Sequence, residues 1–419
     1  MLLTRNALFA ALIAAICGAT AFAADATPVN YHISDFVVQE QEDPSVTQSP
    51  SDIVPPADPM QVSPEQGDVE APIVDATDCC VYECYSAPRM VPNMLGEGLA
   101  LPITNITNQG SQFFYLPVVR PATNNSVFPR DRFSFEYRQY VDTQVYQSPN
   151  FGGPIYRDIE QYTVRWEKTF CCGKYSIDVI APFIDGPQYD QSAGDGAPSE
   201  GLEFGDLTIG LKSLVYGDPC KAVSVGLQIE APTGGDLRND SIGIFNFRAD
   251  RDVWHFTPYV AAAYTPNDCL FAQAFGSYRF ASSDIQAADL GGGNQHTVNS
   301  VNALMLDASV GYWFHTSGCG RICRWAPMFE LHYYSTSEDH QYISGFNPGG
   351  LSGNGFGHVD YLTLTVGATA ELANNATISA GFAFPTRDNN EFIGPTIHDD
   401  ATDNTYDWQF ILQYNSYCW

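Results

Sequence analysis

Over its last two-thirds the chain alternates apolar and polar residues with a period of two, the signature of strands with one oily and one wet face. Phe133, Phe135 and Tyr137 oppose Ser134, Glu136 and Arg138. Tyr162, Val164 and Trp166 oppose Thr163, Arg165 and Glu167. Val223, Val225, Leu227 and Ile229 oppose Ser224, Gly226, Gln228 and Glu230. The pattern recurs through Tyr175–Val179, Leu207–Lys212, Trp254–Val260, Leu270–Arg279, Leu304–Tyr312, Phe329–Tyr334, Leu362–Ala368, Thr377–Phe384 and Trp408–Tyr414. That makes about twelve strands, each near the roughly 9–11 residues that cross a bilayer at a tilt.

The connections separate a membrane barrel from a soluble sandwich. Long ones, such as Asp185 to Leu202, Thr233 to Asp252, Ala281 to Asn299, Ser337 to His358 and Arg387 to Asn404, alternate with short ones. The short ones are Cys171-Cys172-Gly173, Gly217-Asp218-Pro219, Pro266-Asn267-Asp268, Ser317 to Arg324 and Ala373-Asn374-Asn375. Outer-membrane barrels combine long outer loops, short periplasmic turns and an even strand count. The predicted fold is therefore all-β: an antiparallel transmembrane β-barrel over 131–419.

Composition agrees. Charged residues are 16 % of the 419 and aromatics 13 %, against about a quarter charged in soluble globules. A net charge of -29 repels phosphate backbones, so nucleic acid is not an expected partner. At the N-terminus Arg5, the apolar run Ala7 to Ala15 and Ala21-Phe22-Ala23 read as a signal peptide cut after Ala23. Export leaves both barrel termini on the periplasmic side. Residues 24–78 form an acidic, Pro-rich stretch with no Lys or Arg between Asp25 and Asp78. It is expected to be a disordered, extended linker. Residues 79–130, containing Cys79, Cys80 and Cys84, read either as a plug or as a periplasmic lead-in to the first strand.

Ten mature cysteines flank the barrel or sit at its short turns: Cys79, Cys80, Cys84, Cys171, Cys172, Cys220, Cys269, Cys319, Cys323 and Cys418. An oxidising compartment favours disulfides among them, and the spacings lack a paired zinc-binding rhythm. No metal or cofactor is expected. The final strand keeps an even apolar register to Tyr414. Its end therefore shifts register, or Ser416 to Trp419 forms a short tail.

Gly205-Asp206-Leu207-Thr208-Ile209-Gly210-Leu211-Lys212, with the later Ala231-Pro232-Thr233-Gly234, resembles the outer-membrane barrels named for the meta-pathway of phenol degradation. Gly381-Phe382-Ala383-Phe384-Pro385-Thr386 is a second echo. The resemblance spans the last two-thirds of the chain and implies a passive channel or uptake role.

On the assigned register the lumen carries Glu136, Arg138, Arg165, Glu167, Asp178, Lys212, Glu230, Arg279, Glu330 and His332, with Asp206 and Asp307. Opposite charges facing each other would make a constriction selective for small polar solutes. If they instead pair and fill the barrel, it is a structural stave. The expected function is a narrow, porin-like channel for small solutes. Its expected partners are outer-membrane lipid and the barrel-assembly machinery. The alternatives are a structural or adhesive barrel and, further off, a barrel lipid hydrolase. No nucleophile-elbow motif marks a catalytic residue.

Overall fold

In the computed structural model the described residues are 91–98, 103–107, 110–114, 118–148, 153–185, 202–239, 247–250, 252–289, 295–315, 321–338, 343–344, 358–386 and 406–417. The expected signal peptide (1–23), the expected linker (24–78) and Cys79, Cys80, Cys84, Cys319 and Cys418 lie outside them.

Twelve long strands form the barrel: β1 (Arg132–Ser148), β2 (Gly153–Phe170), β3 (Tyr175–Asp185), β4 (Leu207–Gly217), β5 (Lys221–Ala231), β6 (His255–Tyr264), β7 (Leu270–Ala281), β8 (Ala303–Tyr312), β9 (Ile322–Thr336), β10 (Asp360–Leu372), β11 (Ala376–Pro385) and β12 (Trp408–Tyr417). Each pairs antiparallel with the next, and β12 pairs with β1, Leu412 opposite Tyr137, so the sheet closes. Closure pairs every stave's backbone groups and leaves no edge in the hydrocarbon.

Side chains sort as the period predicts. Outward-facing Leu211, Val225, Val260, Leu306, Val310, Phe329, Leu331 and Phe382 are exposed and form the belt that lipid covers. Aromatic rings gather at both rims: Phe170, Tyr175, Tyr216, Tyr264, Tyr312, Phe314 and Trp325 at the short-turn end, Trp254, Tyr278 and Phe280 at the other. Such girdles sit at the headgroup level. The connection between β1 and β2 is short, unlike the other outer connections. These two strands compensate by running 17 and 18 residues. Beyond the wall, Leu237–Asn239, Phe247–Asp250, Ile285–Asp289 and Gln295–Val298 form a separate four-stranded antiparallel sheet.

Two expectations change. The last strand neither shifts register nor ends at Tyr414; it stays paired to Tyr417, whose ring turns inward beneath the Arg130 guanidinium, 5.6 Å from its centroid. Cys171 and Cys172 form no disulfide, against the pairing expected for them, and neither do Cys220 and Cys269, whose thiols are free. Each of the latter two is pinned to its own turn. Asp218 Oδ1 accepts the Cys220 N–H at 2.7 Å, and Asn267 Oδ1 accepts the Cys269 N–H at 2.9 Å. The two cysteines lie two strands apart, about 10 Å at sheet spacing, beyond the roughly 7 Å a disulfide can span. Cys323, at the start of β9, is disulfide-bonded.

Candidate functional site

The chain's own N-terminal segment lies inside the barrel. Residues 91–98 and 118–129 are buried throughout. The first limb, 91–98, enters at the short-turn end, where Val91 O accepts from Arg130 Nη2 at 2.7 Å and Asn93 Nδ2 donates to Asn415 Oδ1 at 2.9 Å. It climbs to Glu97, which accepts from Thr363 Oγ1 and from the Tyr406 hydroxyl near the outer end, both at 2.9 Å. There the hairpin Ile103–Thr107 with Gly110–Phe114 pairs with the upper end of β1, Ser111 opposite Gln147. The second limb, 118–131, descends and runs into β1.

The descending limb faces β1 to β4 and offers them carbonyls. Arg165 Nη1 donates to Thr123 O at 3.0 Å and Asn124 O at 3.1 Å. Arg132 Nη1 donates to Asn124 O at 2.7 Å. Lys212 Nζ donates to Asn125 Oδ1 at 2.8 Å and Ser126 O at 3.1 Å. The same cations pair along the wall. Glu167 lies 2.7 Å from Arg132 Nε and 3.0 Å from Lys212 Nζ, and Arg165 binds Asp178.

Residues 95–96 of the ascending limb lie against β9 to β12 and β1. Glu330 accepts the backbone N–H of Leu95 at 2.9 Å and of Gly96 at 2.8 Å. Arg138, ion-paired to Glu136, donates to the carbonyls of the same two residues. His332 sits between Asp307 (2.8 Å) and Glu330 (3.3 Å). Arg120 reaches from the second limb to Glu97 at 2.9 Å and lies over the Tyr334 ring. Burial works against the charged form of Glu97. Arg120, His332 and the Tyr406 and Thr363 hydroxyls outweigh it and hold the carboxyl below the usual carboxylate range.

All ten sequence-predicted lumen residues therefore point inward, and all but half-buried Arg279 are at most 9 % exposed. They do not face one another across open space. Arg279 pairs with Glu230 at 2.9 Å, with His255 beside it at 3.4 Å. The other charges pair along the wall or with the internal segment.

Apart from Tyr259, which the alternation sets opposite Trp254, Phe256 and Val260, sequence reasoning missed the apolar part of the lumen. Tyr259, Ala261, Ala263, Phe271, Phe275 and Met328 turn inward and form one buried cluster with Val91, Met94, Leu95, Val127 and Phe128. Phe271 and Phe275 belong to a strand that is apolar on both faces, and only their spacing with polar Gln273 and Ser277 marked them.

Strand register also makes an outer-rim pair that sequence spacing hid. Ser335 Oγ and His358 Nε2 are 3.0 Å apart. The adjacent backbone amides are already committed, Thr336 N to Val359 O and Val359 N to Thr336 Oγ1. They cannot serve as an oxyanion hole.

The architecture defines a class: a twelve-stranded membrane barrel whose lumen is occupied by two passes of its own chain. Residues 131–394 match a family model described as putative MetA-pathway of phenol degradation, and the chain belongs to that family. No curated protein matches the sequence. Among solved structures, the chain is similar to the COG4313 outer membrane channel from Pseudomonas putida F1 (12 % identity, 71 % of this chain and 99 % of that one, TM-score 0.42). It is also similar to the NanC porin (9 %, 69 % and 100 %, 0.39) and to a ΔS2 mutant of the TodX monoaromatic hydrocarbon channel (8 %, 78 % and 96 %, 0.32).

Proposed function

We propose that this protein is an outer-membrane channel for small solutes in which residues 91–131 act as an internal plug. One observation carries the reading: the lumen accommodates two limbs of chain, held by hydrogen bonds, ion pairs and side-chain packing. Displacing them opens a passage with a charged arc on one side and an apolar arc on the other. Such a passage suits small amphipathic solutes, with hydrogen bonds on one flank and hydrocarbon contact on the other.

In the same reading the signal peptide is removed after Ala23 and both termini lie in the periplasm. Residues 24–78 are an acidic tether to the plug. The cysteines other than Cys171, Cys172, Cys220 and Cys269 tie the periplasmic rim with disulfides, and the barrel-assembly machinery inserts the chain. The protein is not an enzyme; the committed amides beside Ser335 and His358 support this.

Planar bilayers test the channel. The purified full-length protein is expected to give small, discrete conductance steps. Silence over many insertions of heat-modifiable, folded protein would replace the channel with a structural stave.

A further inference from the structure

Leu95 and Gly96 are gripped in the lumen as a bound ligand would be. The cradle is built by five consecutive strands, β9 through β12 and on to β1. From β9 the two oxygens of Glu330 each accept one backbone N–H, Leu95 at 2.9 Å and Gly96 at 2.8 Å. From β1 the Arg138 guanidinium donates to both carbonyls, reaching Gly96 O at 3.0 Å. From β12 the Gln413 amide donates to Leu95 O at 2.9 Å. Between these polar groups lies a notch. Gly367 on β10 and Gly381 on β11 are register partners, and a Cβ on either would come within 2.4 or 2.6 Å of Leu95 Cδ1. The missing side chains admit the isobutyl group.

Every element of this cradle reads either a main-chain amide or one branched apolar side chain. Glu330, Arg138 and Gln413 are each at most 1 % exposed. A wall that needed only to be filled could use apolar packing and avoid the desolvation of a buried carboxylate and guanidinium. Their placement is instead complementary to the donors and acceptors of two successive peptide units.

We propose that this cradle is a ligand-binding site for small amphiphiles that carry a branched aliphatic group beside a secondary amide, and that Leu95–Gly96 occupies it in the resting protein. The proposal rests on the channel reading and deepens it by naming what the lumen recognises. A tethered occupant has an effective concentration in the millimolar range, so the site is best exposed by weakening the tethered copy. Gly96 has φ +70°, and an added Cβ would lie 2.7 Å from Thr123 Cα. Gly96→Ala therefore drives this turn out of place, and Leu95→Ser removes the group that fills the notch.

The test uses the full-length protein carrying Leu95→Ser and Gly96→Ala, with folding verified by heat-modifiable mobility. The probe is fluorophore-labelled N-acetyl-leucyl-glycine amide, followed by anisotropy in detergent micelles and by current in planar bilayers. Saturable binding is expected. Adding Glu330→Gln should weaken it about tenfold or more, because charge-assisted hydrogen bonds are lost. The labelled N-acetyl-glycyl-glycine amide should bind about tenfold or more weakly, because nothing fills the notch.

Absence of saturable binding, or equal binding of the two probes, overturns the site. A variant that conducts but does not bind sinks the site and leaves the channel. A variant that binds as expected yet never conducts sinks the channel and leaves the site. If the double variant lacks the folded mobility, Leu95→Ala, which keeps Gly96, takes its place under the same criteria.

Discussion

The arc of lumen wall from β1 to β4 and the arc from β5 to β8 solve the same problem with opposite chemistry. The first buries Arg132, Arg138, Arg165 and Lys212 with Glu136, Glu167 and Asp178, each at most 4 % exposed. It needs the carbonyls of the descending limb to complete its hydrogen bonding. The second presents Ala222, Tyr259, Ala261, Ala263, Phe271 and Phe275 and meets the internal segment mainly by packing, with one Gln273 hydrogen bond to Pro92 O at 2.8 Å and Asp307 3.8 Å from Arg120. The charged arc is specified by direction and partner count, so one missing partner leaves a buried charge exposed to a low dielectric. The apolar arc is specified by volume and tolerates any side chain that refills the space.

The largest effect is expected where the charged arc converges. Glu167 accepts from Arg132, Lys212 and the Ser176 hydroxyl. Glu167→Ala leaves two buried cations without their shared carboxylate and should cost about 3–5 kcal/mol, read as a lower urea midpoint for loss of the heat-modifiable band. A midpoint within error of the wild type would show that the carbonyls of the descending limb alone satisfy these cations.

On the apolar arc, overpacking should cost less. Gly311 is the register partner of Phe271, and a Cβ there would lie 2.2 Å from the Phe271 ring edge and 2.8 Å from Pro327 O. Gly311→Ala should destabilise by about 1–3 kcal/mol and displace the Phe271 ring from Trp313, whose centroid is 5.9 Å away. Near-ultraviolet circular dichroism would report that loss. Smaller still is Met328→Leu, a volume-conserving exchange on the neighbouring β9, expected below about 1.5 kcal/mol by the same urea midpoint. If it matched Glu167→Ala, the contrast between the arcs would disappear.

The two arcs were also unequally legible in the sequence. Strict alternation announces Glu136 and Arg138 as inward because their neighbours Phe135 and Tyr137 are apolar. It conceals Phe271 and Phe275, because Leu270 to Tyr278 is apolar on both faces and an inward aromatic looks like a lipid-facing one. The occupant of the lumen stayed one of two open readings, plug or lead-in, for a different reason. Val91 to Gly98 has no regular period, and much of its hold on the wall comes from backbone groups that any residue carries. Register was invisible too. His332 stood out as a lumen residue, but nothing in the spacing sets Asp307 directly opposite it on β8. The turn positions of Cys220 and Cys269 were readable, whereas the two-strand separation that keeps them apart needed the sheet.

The finest test of the contrast concerns Glu97, which joins the first limb to Arg120 on the second and to the Thr363 and Tyr406 hydroxyls. Its folded pKa lies below the ordinary value of about 4.5. The stability it contributes is therefore fully present above that ordinary value and is lost as pH falls through the depressed folded value. Glu97→Gln should lower the urea midpoint at pH 7, and the gap to the wild type should narrow steadily on acidification below about pH 4.5. Phe271→Ala, which removes volume and no charge, should keep a constant gap over the same range. A Glu97→Gln gap that stayed flat down to pH 3 would mean that shape, and not charge, holds the upper end of the plug. The charged and apolar regions of this lumen would then differ in composition but not in the way they hold the chain.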